Sequence, residues 1–237
     1  MKILALDSSG LVASVAVAED DNLLGEYTIN HKKTHSQTLL PMLDEVARMI
    51  ELDMNTIDAI AVAGGPGSFT GLRIGSATAK GLGLALDVPI VNVPTLDALA
   101  YNLWGTDKAV CPLMDARRQQ AYTGIYEFTD GKLHAIVPQC AVGIDEIIAK
   151  VGELGREVIF LGDGVDVFSS YISENCNVRY SYAPASVNKQ RAASVAALGM
   201  EMYREGKAET AADHKPDYLR LSQAERELQE KERDFRI

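Results

Sequence analysis

The sequence predicts an α/β protein built from two related lobes. Apolar runs typical of strands alternate with helical patterns along most of the 237 residues, as expected when helices pack on mixed sheets. Each half opens with an apolar run that ends in an aspartate, Asp7 or Asp115, and continues into a hairpin. This weak internal duplication, with no low-complexity linker between the halves, predicts two lobes that face each other across a cleft.

The first hundred residues predict the element order βββαβαβ. A polar "EDDN" joins the second and third strands as a hairpin. Thr34 or Ser36 can cap the first helix, and Ser68 or Thr70 can cap the second. The predicted segments are the strands "KILALDSS", "VASVAVAED", "NLLGEYTIN", "AIAVAGG" and "PIVNVP", and the helices "THSQTLLPMLDEVARMIE" and Phe69 to Leu86.

The second half repeats this pattern, with "TDGK" as the turn signal of its hairpin. A long helix over residues 186–206 follows, with Ser186 as its cap and Gly206 just past its end. The other predicted segments are the strands "AVCPLMDARR", "QAYTGIYEF", "KLHAIVPQCAV", "REVIFLGDG" and "VRYSYAP", and the helices "IDEIIAKV" and "DVFSSYISEN".

These elements divide the chain into three parts. Residues 1–105 form the N-terminal lobe, which the helix over residues 186–206 completes, and residues 106–185 form the C-terminal lobe. Residues 207–237 form a C-terminal segment that ends in a charged run, "QAERELQEKERDFRI". The simplest expectation for that run is a solvated helix or a frayed end.

Composition limits the classes of function. The net charge of −10 disfavours strong nucleic-acid binding by bulk electrostatics, although a small basic patch is compatible with it. Cys111, Cys140 and Cys176 are far apart and form no CxxC pair, which indicates reduced thiols and a cytoplasmic protein. The apolar run before Asp7 is too short for a signal peptide or a membrane span, so we expect no membrane association.

Six sequence blocks, taken in order, resemble the TsaB family, also called YeaZ. The blocks are "LALDSS", "THSQTLLPML", "GGPGSFTGLRIGSATAKGLGLAL", "VPTLDALA", "MDARRQQAY" and "PDYLRLSQAE", and the resemblance runs from residue 1 to about residue 225. That family belongs to the superfamily of actin, sugar kinases and chaperone ATPases. The resemblance therefore implies a ribonuclease H-like fold in which each lobe has the order βββαβα.

The resemblance also implies a function and a set of partners. TsaB-like proteins are non-catalytic accessory subunits in making threonylcarbamoyladenosine, on the tRNA adenosine 3′ of the anticodon. Their partners are the catalytic paralogue TsaD, the small ATPase TsaE and a second copy of TsaB itself. The synthase TsaC supplies the adenylate, and tRNA is reached through the complex.

The metal site of the catalytic paralogue has no counterpart in this sequence. The resemblance implies a His-x-x-x-His pair in the stretch "VPTLDALA", and the matching positions here are Thr95 and Leu99. Asp97 is the one metal-competent side chain nearby, and a lone carboxylate does not make a transition-metal site. His31 and His35 lie four residues apart, but we expect a solvated loop rather than a metal pair. We therefore expect no bound metal.

The nucleotide site that the superfamily implies is incomplete. Superfamily members grip phosphates with two glycine-containing turns, and Ala116 and Arg117 stand where the second turn needs glycine. We expect no stably bound cofactor, weak ATP or ADP binding at most, and turn capping as the role of Asp7 and Asp115. The candidate nucleotide-binding residues are Asp7, Ser8, Ser9, Gly10, Asp115, Gly162 and Gly164.

The stretch "GGPGSFTGLRIG" is predicted to be a structural turn that starts an interface helix. Small residues recur every four positions after it, and the preceding helix has more apolar residues than one buried face needs. This pattern predicts close approach of a second chain, in agreement with the family, whose members pair through these two helices. The predicted interface residues are Leu39, Met42, Leu43, Val46, Met49, Gly71, Leu72, Gly75, Ala79 and Leu82.

Two alternative functions remain open at this stage. One is an ATP-dependent kinase or ATPase of the same superfamily, and the other is a metallopeptidase or metal-dependent transferase. Candidate tRNA contacts are Arg117, Arg118, Lys189 and Arg191, for which a solvated basic surface is the simpler interpretation.

Overall fold

The computed structural model describes residues 1–219, and they form two sheets covered by helices. The strands are β1 (Lys2–Asp7), β2 (Ala13–Glu19), β3 (Asn22–Ile29), β4 (Ala59–Gly65), β5 (Ile90–Pro94), β6 (Ala109–Asp115), β7 (Gln120–Thr129), β8 (Lys132–Gly143), β9 (Val158–Leu161), β10 (Tyr180–Tyr182) and β11 (Ala208–Glu209). The helices are α1 (His35–Met49), α2 (Phe69–Leu86), α3 (Thr95–Tyr101), α4 (Ile144–Leu154), α5 (Gly164–Asn175) and α6 (Ala192–Arg204). The charged run predicted from Gln223 lies outside the described residues.

The two sheets repeat one topology. The first sheet has the order β11-β5-β4-β1-β2-β3, and the second has the order β10-β9-β6-β7-β8. In the first sheet β1 pairs antiparallel with β2 and parallel with β4. In the second sheet β6 pairs antiparallel with β7 and parallel with β9. The shared order confirms the predicted fold class of two βββαβα lobes and makes the internal duplication visible.

The first sheet is covered on both faces. Successive side chains of β1 point to opposite sides, as the pleat of a strand requires. Leu4 and Leu6 join the core beneath α1 and α2, whereas Ile3 and Ala5 join the core beneath α6. Because both faces are buried, β1 reads as a continuous apolar run rather than an alternating one.

Helix α3 joins the two lobes. Ala98 packs in the core of the first sheet, whereas Leu96 and Leu99 pack in a core on the second sheet. The Tyr126 hydroxyl of β7 donates to Asp97 Oδ1 at 2.8 Å, which adds a polar contact to this apolar junction. Among residues 1–219, no helix combines the length and apolar character needed to cross a membrane.

Helix α6 begins at Ala192, so the predicted start near Ser186 is wrong. Its first backbone N–H groups are capped from the first sheet rather than by a neighbouring serine. Ala192 N donates to Ser14 Oγ at 2.8 Å, and Ala193 N donates to Glu26 Oε1 at 3.1 Å. The cap residues lie more than 160 positions away in sequence, so no local signal marks this helix start.

Candidate functional site: the interlobe cleft and the outer face of α2

A cavity of about 530 Å³ lies between the lobes. The first lobe contributes the turn after β1 and the start of α2. The second lobe contributes the turn after β6, together with Tyr122 and Asp163. Asp217, Tyr218 and Leu219, at the end of the described chain, form a further wall. The turns after β1 and after β6 therefore face the same cavity, as expected from their equivalent positions in the two duplicated lobes.

The turn after β1 uses its polar side chains internally. Asp7 Oδ1 accepts hydrogen bonds from Ser9 N at 2.9 Å and from Ser9 Oγ at 2.7 Å. The Ser8 hydroxyl donates to the Gly71 carbonyl oxygen at 2.9 Å. Both serine hydroxyls therefore donate to acceptors within the protein, although Ser8 and Ser9 were named as candidate nucleotide-binding residues.

Asp7 is a buried carboxyl group in the turn after β1, whose residues Ser9 and Gly10 line the cleft. Its side chain is 1% exposed, and burial raises its pKa to about 6, while the two hydrogen bonds from Ser9 and the nearby His35 act in the opposite direction. At neutral pH the group is ionised at a cost in stability. A carboxylate kept in that state is a mark of functional sites.

The turn after β6 has a strained backbone. Asp115 Oδ1 accepts from Arg117 N at 2.8 Å, which repeats the Asp7 arrangement. Arg117, Arg118 and Gln119 then have φ values of 66°, 54° and 61°. Three consecutive non-glycine residues in the left-handed region carry a conformational cost, and such strain clusters at functional sites. The turn thus adopts a glycine-like conformation without glycine.

Gly162 and Gly164 lie beside the cleft without lining it. Both pack against Leu113 of β6, where a Cβ on Gly162 would overlap the Leu113 carbonyl oxygen. Between them, Asp163 lines the cavity, and burial raises its pKa. Among the described residues, its buried Oδ1 has no hydrogen-bond partner. Sequence reasoning named the two glycines and missed the aspartate that they position.

The glycines after β4 allow α2 to press against the turn after β1. A Cβ on Gly67 would overlap the Ser9 carbonyl oxygen, and a Cβ on Gly71 would overlap that of Ser8. A Cβ on Gly75 would lie 2.5 Å from Ser8 Oγ. Close backbone approach, rather than a bound phosphate, is therefore what requires these glycines.

Two N–H groups at the start of α2 already have acceptors within the protein. Ser68 N donates to the Ser9 carbonyl oxygen at 2.6 Å, and Gly71 N donates to Ser68 Oγ at 3.3 Å. Ser68 therefore caps the helix; the sequence had predicted either Ser68 or Thr70 for this role. A phosphate cradle uses free N–H groups, so the internal bonds of Ser68 N and Gly71 N favour a structural turn.

The predicted small-residue stripe faces inward. Ala79 is completely buried, and Gly75 packs between Ser8 and Val62. The prediction that Gly75 and Ala79 meet a second chain is therefore wrong, because the lobe's own sheet covers them. Of the ten predicted interface residues, Met49 is 69% exposed and Leu82 is half-buried. The buried ones are Leu39, Met42, Leu43, Val46, Gly71, Leu72, Gly75 and Ala79.

The outer face of α2 carries a second stripe with the same spacing, which sequence reasoning missed. Ala77, Gly81 and Ala85 are exposed at intervals of four residues, beside Arg73 and Leu84. Leu84 is 64% exposed, and a Cβ on Gly81 would meet no atom within 4 Å. We call these five residues the outer face of α2. The neighbouring α1 adds the exposed side chains Leu40 and Met49.

The positions of the paralogue's histidine pair hold structural side chains. Thr95 Oγ1 accepts a hydrogen bond from Gly65 N at 3.1 Å, and Leu99 lies in the core between the lobes. His35 Nε2 is 2.9 Å from the Gly10 carbonyl oxygen, whereas His31 is exposed. Within residues 1–219, no three His, Cys, Asp or Glu side chains are grouped to hold a metal ion.

Three of the four candidate tRNA contacts are paired with carboxylates. Lys189 Nζ lies 2.8 Å from Asp166, and Arg191 forms an ion pair with Glu26. Exposed Arg117 lies 3.4 Å from the half-buried Asp115, and Arg118 is exposed in the same turn. The basic groups that face outward at the cleft are therefore the two arginines of the strained turn.

The chain is similar over most of its length to named bacterial proteins. Residues 22–228 match the family model described as TsaD, tRNA N6-adenosine threonylcarbamoyltransferase. The tRNA threonylcarbamoyladenosine biosynthesis protein TsaB of Bacillus subtilis (strain 168) is 35% identical over 227 residues, covering 95% of this chain and 96% of that one. TsaB of Escherichia coli (strain K12) is 28% identical over 235 residues, covering 98% and 100%.

A solved structure shows the same fold. It is a Pseudomonas aeruginosa protein described as uncharacterized with similarity to peptidase YEAZ. Its TM-score against this chain is 0.78 at 26% identity, with 92% of this chain and 99% of that chain covered.

Proposed function

Because the chain belongs to the TsaB (YeaZ) family, we propose that it acts in threonylcarbamoyladenosine biosynthesis as a non-catalytic subunit. In this proposal it binds and supports a TsaD-like catalytic paralogue in the cytoplasm. A TsaE-like ATPase joins them, and the complex modifies the tRNA adenosine 3′ of the anticodon. The relationship to TsaB over 95% of the chain carries the proposal.

The residues at the paralogue's metal positions support a non-catalytic role. Thr95 and Leu99 are both buried, and each makes a contact that the fold uses. Neither side chain is a ligand that suits iron or zinc. A metallopeptidase or metal-dependent transferase related to the paralogue would need ligands at this junction, and Thr95 and Leu99 do not supply them.

The cleft supports weak nucleotide binding at most. Asp115, Asp163 and Asp217 line the cavity, and their carboxylates oppose a bare phosphate. The two turn serines already donate within the protein. No observation favours the kinase or ATPase alternative, and we expect ATP or ADP to bind weakly and without turnover.

We assign partner binding to the outer face of α2, together with the exposed part of α1. An exposed glycine inside a helix costs about 1 kcal/mol relative to alanine. Gly81 carries that cost although its own chain leaves room for a side chain. Close approach of another helix at Gly81, Ala77 and Ala85 would offset the cost. A second copy of the chain can use the same face, which gives the proposed homodimer.

Association with a purified TsaD-like paralogue tests this surface. Gly81→Leu should weaken association by about tenfold to a hundredfold, because overpacking a close contact costs about 1–3 kcal/mol. The variant should unfold no earlier than the natural chain, since its side chain points into open space. Ala149→Leu, at an exposed position of α4 on the other lobe, is the matched control. Unchanged binding by Gly81→Leu would exclude the outer face of α2 as the partner surface.

A further inference from the structure

A groove of about 370 Å³ lies between the end of α2 and the segment that contains β11. Residues of the segment 83–89 line one side of it, and residues 208–212 line the other. We call it the α2–β11 groove. Leu84 lines this groove and also belongs to the outer face of α2. The groove therefore continues the proposed partner surface past the end of the helix.

The walls of the α2–β11 groove are fixed by packing. Ala211 is 6% exposed, and a Cβ on Gly83 of α2 would lie 2.9 Å from its Cβ. On the other side, Ala208 pairs with Val91 of β5 in the first sheet. Contacts this close make both walls part of the packed lobe. The groove is therefore formed before any partner arrives.

The lining combines aliphatic and acidic side chains. Leu84, Val88 and Pro89 supply apolar surface, whereas Asp87 and Glu209 supply two carboxylates. Asp87 is exposed and Glu209 is half-buried. The groove therefore offers an apolar wall beside negative charge.

Glu209 is positioned by a histidine from the same segment. His214 is 1% exposed, and its Nδ1 lies 2.7 Å from Glu209 Oε1. The carboxylate is thereby held at the groove by a side chain that is packed into the lobe. Its place in the lining does not depend on a freely rotating surface residue.

Asp87 stands where a carboxylate lowers the stability of the helix. It caps the C-terminal end of α2 with a φ of 54°, in the left-handed region that glycine or asparagine adopts more readily. The C-terminal end of a helix carries partial negative charge, which repels an acidic side chain. Among residues 1–219, no ion pair includes Asp87. A cation supplied by a partner would offset the electrostatic cost.

A lysine or arginine side chain has the chemistry that this lining fits. Its aliphatic stem packs on apolar surface while its charged head stays at the edge. We propose that the α2–β11 groove takes such a side chain from the TsaD-like paralogue, with the stem against Leu84 and Val88. The head then lies near Asp87, Glu209 and the negative end of the α2 dipole. This inference rests on the proposed function, because it adds a charged contact to the surface assigned there.

The occupant is the paralogue rather than a second copy of this chain. A second copy docked through the same face would have to supply Arg73, the one cation among the five residues of the outer face of α2. The Arg73 guanidinium already lies 4.0 Å from the centroid of the Phe69 ring in its own chain. Insertion into the groove would break this cation–π contact. A basic side chain of the paralogue enters without breaking it.

Disulfide exchange measures the preference of the groove without any partner. Ala212→Cys places a thiol on an exposed residue of the lining. The variant is equilibrated with equal amounts of cystamine, which adds an ammonium group, and 2-hydroxyethyl disulfide, which adds a neutral one. Mass spectrometry then compares the two adducts. Adding Asp87→Asn should lower the ratio of cationic to neutral adduct about threefold, whereas adding Asp130→Asn should not. An unchanged ratio with Asp87→Asn would overturn the inference.

Association with the purified paralogue tests the occupant. The left-handed backbone at Asp87 suits asparagine, so Asp87→Asn should unfold no earlier than the natural chain. The variant should weaken association about tenfold, and about 1 M salt should shrink that difference by screening charge. Asp130→Asn is the matched control, because Asp130 is an exposed aspartate with a φ of 53° in the hairpin of the other lobe.

The outcomes separate this inference from the proposed function. Equal association of Asp87→Asn and Asp130→Asn with the paralogue, while Gly81→Leu weakens it, would overturn the groove and leave the proposed function standing. Weaker self-association of Asp87→Asn with unchanged binding of the paralogue would make a second copy the occupant and contradict the inference. If the paralogue does not bind the natural chain, the proposed function fails and the paralogue is excluded as the occupant. The disulfide exchange then still decides whether the groove prefers a cation.

Discussion

Replacing Asp7 by asparagine tests the claim that the turn after β1 keeps a costly buried charge. The ordinary pKa of this group is 3.8, and burial raises it to about 6 in the folded chain. Each pKa unit corresponds to about 1.4 kcal/mol, so the ionised group costs about 3 kcal/mol at neutral pH. Asparagine has nearly the same shape, and its Oδ1 can accept both hydrogen bonds from Ser9. Asp7→Asn should therefore stabilise the fold.

The pH dependence of this gain follows from the direction of the pKa shift. Below about pH 4 the carboxyl group is protonated in both the folded and the unfolded chain, so the penalty is absent. Between about pH 4 and pH 6 the folded state holds the proton more tightly, and the stability of the natural chain falls as pH rises. Above about pH 6 the full penalty applies. The advantage of Asp7→Asn should therefore appear only at the higher pH.

Urea denaturation at pH 4 and at pH 7.5 measures this difference directly. At pH 7.5 Asp7→Asn should gain up to about 3 kcal/mol in unfolding free energy, or about 2–4 °C in Tm per kcal/mol. Asp115→Asn is the matched control, because Asp115 holds the equivalent turn but its side chain is 19% exposed. A loss of stability in Asp7→Asn that is equal at both pH values would refute the reasoning.

Three further substitutions test the local structure. Gly75→Leu should cost about 1–3 kcal/mol or more, because a Cβ already crowds Ser8 Oγ; a chain with natural thermal stability would mean that this face points outward. Arg118→Gly should stabilise by about 1 kcal/mol, since glycine adopts a φ of 54° without the side-chain penalty; no gain in urea denaturation would argue against the strained turn. Glu26→Ala should cost about 2–4 kcal/mol, because it removes both the partner of Arg191 and the cap of α6; a smaller loss in thermal unfolding would show that the cap is dispensable.

Local signals predicted α2 well and α6 poorly, for one reason. Helix α2 spans Phe69–Leu86 as predicted, because its cap, Ser68, is adjacent in sequence. Helix α6 starts later than predicted, because Glu26 and Ser14 of the first sheet supply its cap. Thr34 holds the N-cap position of α1, but its side chain makes no capping bond. Sequence identifies a boundary when the stabilising partner is local.

The candidate site shows the same limit. A four-residue spacing of small side chains occurs twice on α2, once through Gly75 and Ala79 and once through Ala77 and Gly81. Periodicity reveals both stripes but does not show which one the sheet covers. That choice depends on Ser8, whose hydroxyl bonds to α2 across 63 positions of sequence. The sequence did not identify Asp163 as a cleft residue, because its burial comes from residues that are distant in sequence.

The most direct test of the account is reconstitution of threonylcarbamoyladenosine on tRNA with purified components. The TsaD-like paralogue, the TsaE-like ATPase, ATP and threonylcarbamoyl adenylate are combined with or without this chain. We predict no product from the chain without the paralogue and strong stimulation when both are present. Gly81→Leu should lose this stimulation, whereas Ala149→Leu should stimulate as well as the natural chain. Product formed without the paralogue, or equal product with and without this chain, would contradict the account.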